Sequence, residues 1–80
     1  MKSEFDIAKE IITKTIGEKP FYTVEDIQKL FGKSRQWVYE LVYEGLLVPV
    51  EKNHNPRKYT FTLISLIESY IKLTRGVKNG

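Results

Sequence analysis

In residues 32–47, GKSRQWVYELVYEGLL, a short predicted helix lies between two glycines. Ser34 can cap its first turn through the hydroxyl oxygen, and Gly45 can end it in the left-handed conformation. Val38, Leu41 and Val42 lie at helical spacing and predict a buried face. The opposite side carries large hydrogen-bonding side chains, namely Arg35, Gln36, Tyr39, Glu40 and Tyr43. Because two tyrosines are unusual on a face that meets only water, the helix is predicted to present a binding surface.

Three more helices are predicted from apolar residues at helical spacing. They cover residues 4–16, 24–31 and 63–74. A hydroxyl residue that can serve as the N-cap precedes each of them: Ser3, Thr23 and Thr62. A tight turn containing Gly32 joins the second of these helices to the helix of residues 34–44. Two helices joined in this way are typical of a helix-turn-helix.

A β-hairpin, or wing, is predicted between the last two helices. Residues 46–50 are apolar, and Pro49 restricts them to an edge strand. Residues 51–56 are typical of a turn, and residues 57–61 alternate between polar and apolar like a returning strand. The predicted fold class is therefore mainly α with a small β-hairpin: a winged helix-turn-helix with three core helices and an additional N-terminal helix.

The chain length predicts one small domain. Its charged residues are distributed unevenly along the sequence. The predicted parts of the single domain 1–80 are an N-terminal helix at 4–16, the winged helix-turn-helix at 21–73 and a frayed tail at 74–80. Residues 1–31 hold five Lys and six Asp or Glu, a net charge of −1. Residues 32–80 hold eight Lys or Arg and four Glu, a net charge of +4. A basic half of this kind attracts polyanions such as nucleic acid.

The residue inventory argues against catalysis. The sequence contains no cysteine and a single histidine, and it has no glycine-rich phosphate loop. Neither an enzyme active site nor a metal or cofactor site is therefore predicted. The apolar runs also fall short of the roughly 18 residues that a membrane span needs. We expect a cytoplasmic protein that binds no membrane, no metal and no cofactor.

The ordered motifs of residues 21–73 resemble the winged helix-turn-helix of the excisionase and MerR-like superfamily. The matching segments are YTVE at 22–25, GKSR at 32–35, VY at 38–39, GLL at 45–47 and RKY at 57–59. Three features depart from the family pattern. Trp37 stands where a small Ser or Thr is usual, and Glu40 stands where a basic residue is common. The helix of residues 4–16 has no counterpart in minimal excisionase domains.

The resemblance implies sequence-specific binding of double-stranded DNA without catalysis. Residues 34–44 would enter a major groove, and the wing of residues 51–58 would contact the backbone or the minor groove. The implied role is an excisionase (a recombination directionality factor) or a small transcription regulator of phage or mobile-element type, encoded by a bacterium or phage and associated with the nucleoid. Implied protein partners are a second copy, as a homodimer or a cooperative oligomer on DNA, and an integrase. Two alternatives stay open: a protein–protein adaptor, and the DNA-binding head of a larger protein.

Candidate DNA contacts follow from side-chain chemistry. In the turn and the recognition helix they are Lys33, Ser34, Arg35, Gln36, Tyr39 and Tyr43. In the wing they are Lys52, His54, Arg57 and Lys58. Arg35 can pair with guanine or grip a phosphate, and Gln36 can read adenine. Glu40 can accept a hydrogen bond from cytosine or orient a neighbouring cation.

Two parts of the sequence have a structural and a functional interpretation. Trp37 is expected to pack at the edge of the core, with a contact to DNA or a protein partner as the alternative. The helix of residues 4–16 is expected to pack against the last helix. An apolar face larger than the small domain can cover would instead form a dimer or docking surface.

Overall fold

A computed structural model describes residues 3–51, 55 and 58–75. Its elements, in chain order, are α1 (Glu4–Ile16), β1 (Tyr22–Thr23), α2 (Val24–Phe31), α3 (Arg35–Tyr43), β2 (Thr60–Phe61) and α4 (Leu63–Thr74). This mainly helical arrangement with a small antiparallel sheet is a winged helix-turn-helix, and it confirms the predicted fold class. The helices have the predicted bounds, except that α3 ends at Tyr43 and Glu44 is its C-cap.

Each helix begins where a hydroxyl side chain can satisfy the first turn. Each N-cap hydroxyl oxygen accepts the backbone N–H of the residue three positions later, at 3.1–3.2 Å. The four N-caps are Ser3, Thr23, Ser34 and Thr62. A cap of this kind contributes about 1 kcal/mol. Thr23 and Asp26 form a reciprocal capping box, since the Asp26 carboxylate accepts the Thr23 N–H at 3.0 Å. Gly32, with φ of 68°, then ends α2 in the left-handed conformation that glycine adopts without a steric penalty.

The core lies where α1, α2, α3 and α4 meet the short sheet. α1 packs mainly against α4 and also against α2, as predicted. The buried apolar side chains are Ala8, Ile12, Ile16, Tyr22, Val24, Ile27, Val38, Leu41, Leu47, Phe61, Leu66 and Ile67. At the outer ends of α1 and α4, Arg75 donates to the Glu4 carboxylate, with Nε 2.9 Å from Oε2. This hydrogen bond lowers the pKa of Glu4.

The sheet differs from the predicted hairpin. β2 pairs antiparallel with β1, with Tyr22 opposite Phe61, and not with a strand over residues 46–50. Residues 46–50 form no strand, and the prediction of one there is wrong. The N–H groups of Leu46 and Leu47 instead donate to the carbonyl of Leu41 and close the end of α3.

Two backbone positions in the rest of this segment also do not take part in a strand ladder. Pro49 has no N–H, and the Val48 carbonyl accepts the Ser65 hydroxyl at 2.8 Å. Val50 alone makes a ladder-like bond, from its N–H to the Thr60 carbonyl at 2.8 Å. The remainder of the predicted wing, with Lys52, His54 and Arg57, lies outside the described residues.

Tyr22 ties the loop after α1 to the core. Its ring is fully buried, while its hydroxyl donates to the Gly17 carbonyl at 2.7 Å and accepts the Lys19 N–H at 3.1 Å. These two hydrogen bonds satisfy the Gly17 carbonyl and the Lys19 N–H, which lie in the loop after α1 and pair with neither a helix nor a strand. The tyrosine therefore fixes the path by which the chain passes from α1 to β1.

We expect Tyr22→Phe to lower the free energy of unfolding by about 1–3 kcal/mol, because it leaves one partly buried donor and one acceptor unpaired. Urea denaturation measures the loss. Tyr70→Phe is the matched control, since the Tyr70 hydroxyl has no hydrogen-bond partner among the described residues. Equal effects of the two substitutions would contradict the assigned role of the Tyr22 hydroxyl.

Asp26 makes stability depend on pH. Burial disfavours its charged form, but hydrogen bonds from Lys19 Nζ at 2.8 Å and the Thr23 N–H at 3.0 Å outweigh burial and lower the pKa of Asp26 below 3.8. A carboxyl group whose folded-state pKa is lowered stabilises the fold fully above its unfolded-state pKa. That contribution is lost as the pH falls through the folded-state pKa.

We therefore expect Asp26→Asn to lower the free energy of unfolding at pH 7 by about 1 kcal/mol, the contribution of one helix-cap interaction. The difference from wild type should shrink as the pH falls from the unfolded-state pKa of Asp26 toward its lowered folded-state pKa, where the folded wild-type carboxyl becomes protonated. Urea denaturation from pH 7 to pH 2 provides the comparison. Glu68→Gln, which removes an exposed carboxylate from α4, controls for the loss of one negative charge. A difference that stays constant across this range would refute the assignment.

Candidate nucleic-acid interface

The second helix of the helix-turn-helix pair, α3, presents one side to the core and the other to solvent. Val38 and Leu41 are buried. At 100° per residue, Gln36 and Tyr43 point away from these two side chains, with Tyr39 and Glu40 beside them. Gln36 and Glu40 are exposed, Tyr43 is 92% exposed, and Tyr39 is half-buried. We call these four residues, Gln36, Tyr39, Glu40 and Tyr43, the α3 ridge.

Arg35 lies on a flank of α3 and not on the ridge. It is about 100° around the helix from Gln36, half-buried, and directed toward the first turn of α2. There its Nη2 lies 3.7 Å from Oε2 of Glu25. The expectation that Arg35 shares one side with Gln36 is therefore met only in part: the guanidinium stands at the edge of the surface, beside α2.

The opposite flank of α3 is occupied by Trp37. Its ring is half-buried, with its centroid 5.2 Å from that of Phe31 at an angle of 56°. Phe31 in turn stacks on Tyr70 of α4 at 5.9 Å. The exposed Lys33 of the turn lies over the Trp37 ring, with Nζ 5.9 Å from the ring centroid. Trp37 thus joins α2, α3 and, through Phe31, α4.

A depression of about 430 Å³ lies beside the ridge. It is lined by Gln36, Tyr39, Glu40, Val42, Tyr43 and Tyr59. Tyr59 directly precedes β2 and holds an edge-to-face contact with the buried Phe61, at 6.2 Å and 75°. We call this feature the tyrosine depression. Sequence reasoning identifies Tyr39 and Tyr43 but misses Tyr59 as a functional residue, although it lies in the RKY motif.

Positive charge flanks the ridge instead of lying on it. The four ridge residues include one carboxylate and, among them, no cation. Lys33 stands before the N-terminus of α3, Arg35 faces Glu25, and Lys58 is exposed next to Tyr59. The Ser34 hydroxyl is engaged as the N-cap, accepting the Trp37 N–H. The surface therefore combines a neutral-to-acidic centre with the cations Lys33 and Arg35 beside the N-terminal turn of α3.

In the ranges 3–51 and 58–75, no helix has both the length and the apolar character needed to cross a membrane. The same part of the chain contains no group of three or more His, Cys, Asp or Glu side chains that could hold a metal ion.

Comparison with known proteins supports the same region. A family model described as a helix-turn-helix domain matches residues 21–69, more than half of the chain. The match begins just before β1, includes α2, α3 and β2, and ends within α4, so α1 lies outside it. Comparisons with curated proteins and with solved structures give no match. The family model covers more than half of the chain, and the second helix of the matched helix pair, α3, is exposed. The chain therefore belongs to this family of DNA-binding helix-turn-helix domains.

Proposed function

We propose that this protein binds double-stranded DNA sequence-specifically, with α3 in a major groove. The observation that carries the proposal is that the second helix of a helix-turn-helix family member presents a ridge of hydrogen-bonding side chains to solvent. A major groove about 12 Å wide admits an α-helix of this kind. The side chains of the α3 ridge contact the base edges: Gln36 pairs with N6 and N7 of adenine, and Glu40 accepts a hydrogen bond from N4 of cytosine.

The flanks of α3 are suited to the DNA backbone. Arg35 stands at the edge of the ridge, which favours a phosphate contact over the guanine contact that the sequence also allows. Lys33 and Ser34 lie at the N-terminus of α3, where the helix dipole attracts anions. Tyr39 and Tyr43 belong to the ridge and not to the flanks; their hydroxyls can donate to phosphates while their rings face the groove.

The wing of residues 51–58 provides the second backbone contact in this proposal. Lys58 is exposed beside the tyrosine depression. Lys52, His54 and Arg57 are assigned from the sequence alone. Because backbone contacts provide most of the affinity and no sequence information, these residues set how tightly the protein binds, not which site it selects.

The biological role that fits best is an excisionase or a small transcription regulator of phage or mobile-element type, acting without catalysis in the cytoplasm of a bacterium. One domain with a nine-residue recognition helix touches only a few base pairs. We therefore propose binding as a homodimer or as a cooperative oligomer on repeated sites, with an integrase as a further partner for an excisionase.

One observation favours a second candidate, a protein–protein adaptor. The α3 ridge carries no cation, and Tyr43 is almost fully exposed. Tyrosine is enriched at the energetically dominant positions of protein interfaces. Such an adaptor would use the same surface but would not depend on phosphate charges.

Salt dependence distinguishes the two candidates. After selection of a preferred duplex from random sequences, we expect the logarithm of the binding constant to fall with the logarithm of salt concentration with a slope of about −4 to −5. This slope corresponds to about four to six neutralised phosphates. Fluorescence anisotropy at 50–300 mM salt measures it. A flat response, or no binding to any duplex, would favour the adaptor.

Two substitutions separate base reading from backbone contact. Gln36→Ala should remove roughly 1–3 kcal/mol of discrimination at one adenine, while leaving binding to unrelated duplexes unchanged. Arg35→Ala should weaken binding to all duplexes alike and reduce the salt slope by about 1. Lys72→Ala, which removes an exposed cation from α4, is the control for Arg35→Ala. A loss of base preference in Arg35→Ala would place its guanidinium on a base instead.

A further inference from the structure

The tyrosine depression is an apolar concavity on a surface proposed to face base edges. Tyr39, Tyr43, Tyr59 and Val42 are four of its six lining residues, and the lining surface is mostly apolar. Tyr43 stands 92% exposed at its side, so the protein core itself makes little use of that ring. Four base-pair orientations present different groups in the major groove, and the only apolar one among them is the 5-methyl group of thymine.

We propose that the tyrosine depression receives a thymine 5-methyl group, so that α3 selects a site containing an A·T pair. This inference rests on the proposed function, because it requires α3 to lie in a major groove. Its first support is shape and polarity: an open concavity of about 430 Å³ admits the edge of a base, and its aromatic wall removes the methyl group from water.

The second support is the polar rim of the depression. Gln36 lines it and is suited to adenine, the partner of thymine, through the amide pairing with N6 and N7. Glu40 also lines it, and a carboxylate accepts hydrogen bonds but cannot donate them. Glu40 therefore accepts from N6 of adenine or from N4 of cytosine, and it is unfavourable beside the acceptors O6 and N7 of guanine. The preference for an A·T pair thus depends on Gln36 and on the methyl group, not on Glu40.

The third support is the absence of cations from the α3 ridge. The commonest specific contact to guanine is an Arg or Lys donating to O6 and N7. The ridge offers neither, and Arg35 lies on the flank opposite Glu25. The ridge is thus equipped for adenine and for the thymine methyl group, and poorly equipped for guanine.

Replacement of single thymines by deoxyuridine tests the proposal, because it deletes the methyl group and keeps every hydrogen-bonding group. The duplex is the one selected in the binding experiment above, and each thymine is replaced in turn. We expect replacement at one or two positions to weaken binding of the duplex about three- to tenfold, because burying one methyl group raises the binding constant about fourfold. Replacement at the remaining thymines should have no effect.

Tyr43→Ala assigns the effect to the depression. Because Tyr43 is almost fully exposed, its removal leaves the core intact. The variant should bind the thymine duplex more weakly, while its preference for thymine over uracil at the sensitive position falls toward one. Val48→Ala is the matched control, since Val48 is apolar, 62% exposed and not part of the depression. It should retain the full preference.

The outcomes separate this inference from the proposed function. Specific, salt-dependent binding with no sensitivity to any thymine-to-uracil replacement would overturn the inference and leave the proposed function standing. A methyl effect that persists in Tyr43→Ala would overturn the assignment to the depression. Failure to bind any duplex would overturn the proposed function and the inference with it.

Discussion

The burial of Val38 and Leu41 is the constraint on which the rest of the surface depends. A nine-residue helix is too short to be stable on its own in water, so α3 exists because this face is packed. Packing also fixes the rotation of α3 about its own axis. Once Val38 and Leu41 point inward, Gln36 and Tyr43 must point outward, and Arg35 must lie between the two directions. The identity of the exposed ridge is thus a consequence of the core.

The core that holds α3 extends well beyond the matched family region. α1 lies outside residues 21–69, yet it places Ala8, Ile12 and Ile16 in the interior and packs on α4. A chain of 80 residues buries only a modest share of its surface, so these side chains matter for stability. From α4 the packing continues through Tyr70, Phe31 and Trp37 to α3. Trp37, a departure from the family pattern, is explained by this aromatic contact.

What the sequence predicts well is local. Helix bounds and N-caps depend on residues three or four apart, which is why the spacing of Thr23 and Asp26 is enough to predict a capping pair. The pairing of β1 with β2 joins residues almost forty positions apart, and no local pattern specifies it. The apolar character of residues 46–50 predicts a strand, but the backbone donors of Leu46 and Leu47 serve the end of α3 instead.

The candidate site likewise has features that follow from local sequence and features that depend on contacts between distant residues. Helical geometry alone identifies Gln36 and Tyr43 as outward-facing. The ion pair of Arg35 with Glu25 and the position of Tyr59 beside α3 are tertiary contacts between separate elements. Tyr59 lies beside α3 because β2 pairs with β1, and that pairing positions the residue that precedes β2. The RKY motif marks the segment around Tyr59, but nothing in that motif specifies a contact with α3.

On the proposed mode of binding, the separation of charge divides affinity from selectivity. Lys33, Arg35 and Lys58 stand where phosphates pass, so their attraction acts on every duplex alike. Glu40 stands among the groups that face bases, and a carboxylate there costs free energy wherever no base donor meets it. A mismatched site therefore lacks the favourable hydrogen bond to Glu40 and also carries the cost of desolvating its carboxylate. Specificity is the difference in binding free energy between the correct and the mismatched site. For a domain that touches few base pairs, such a penalty provides discrimination that additional favourable contacts cannot.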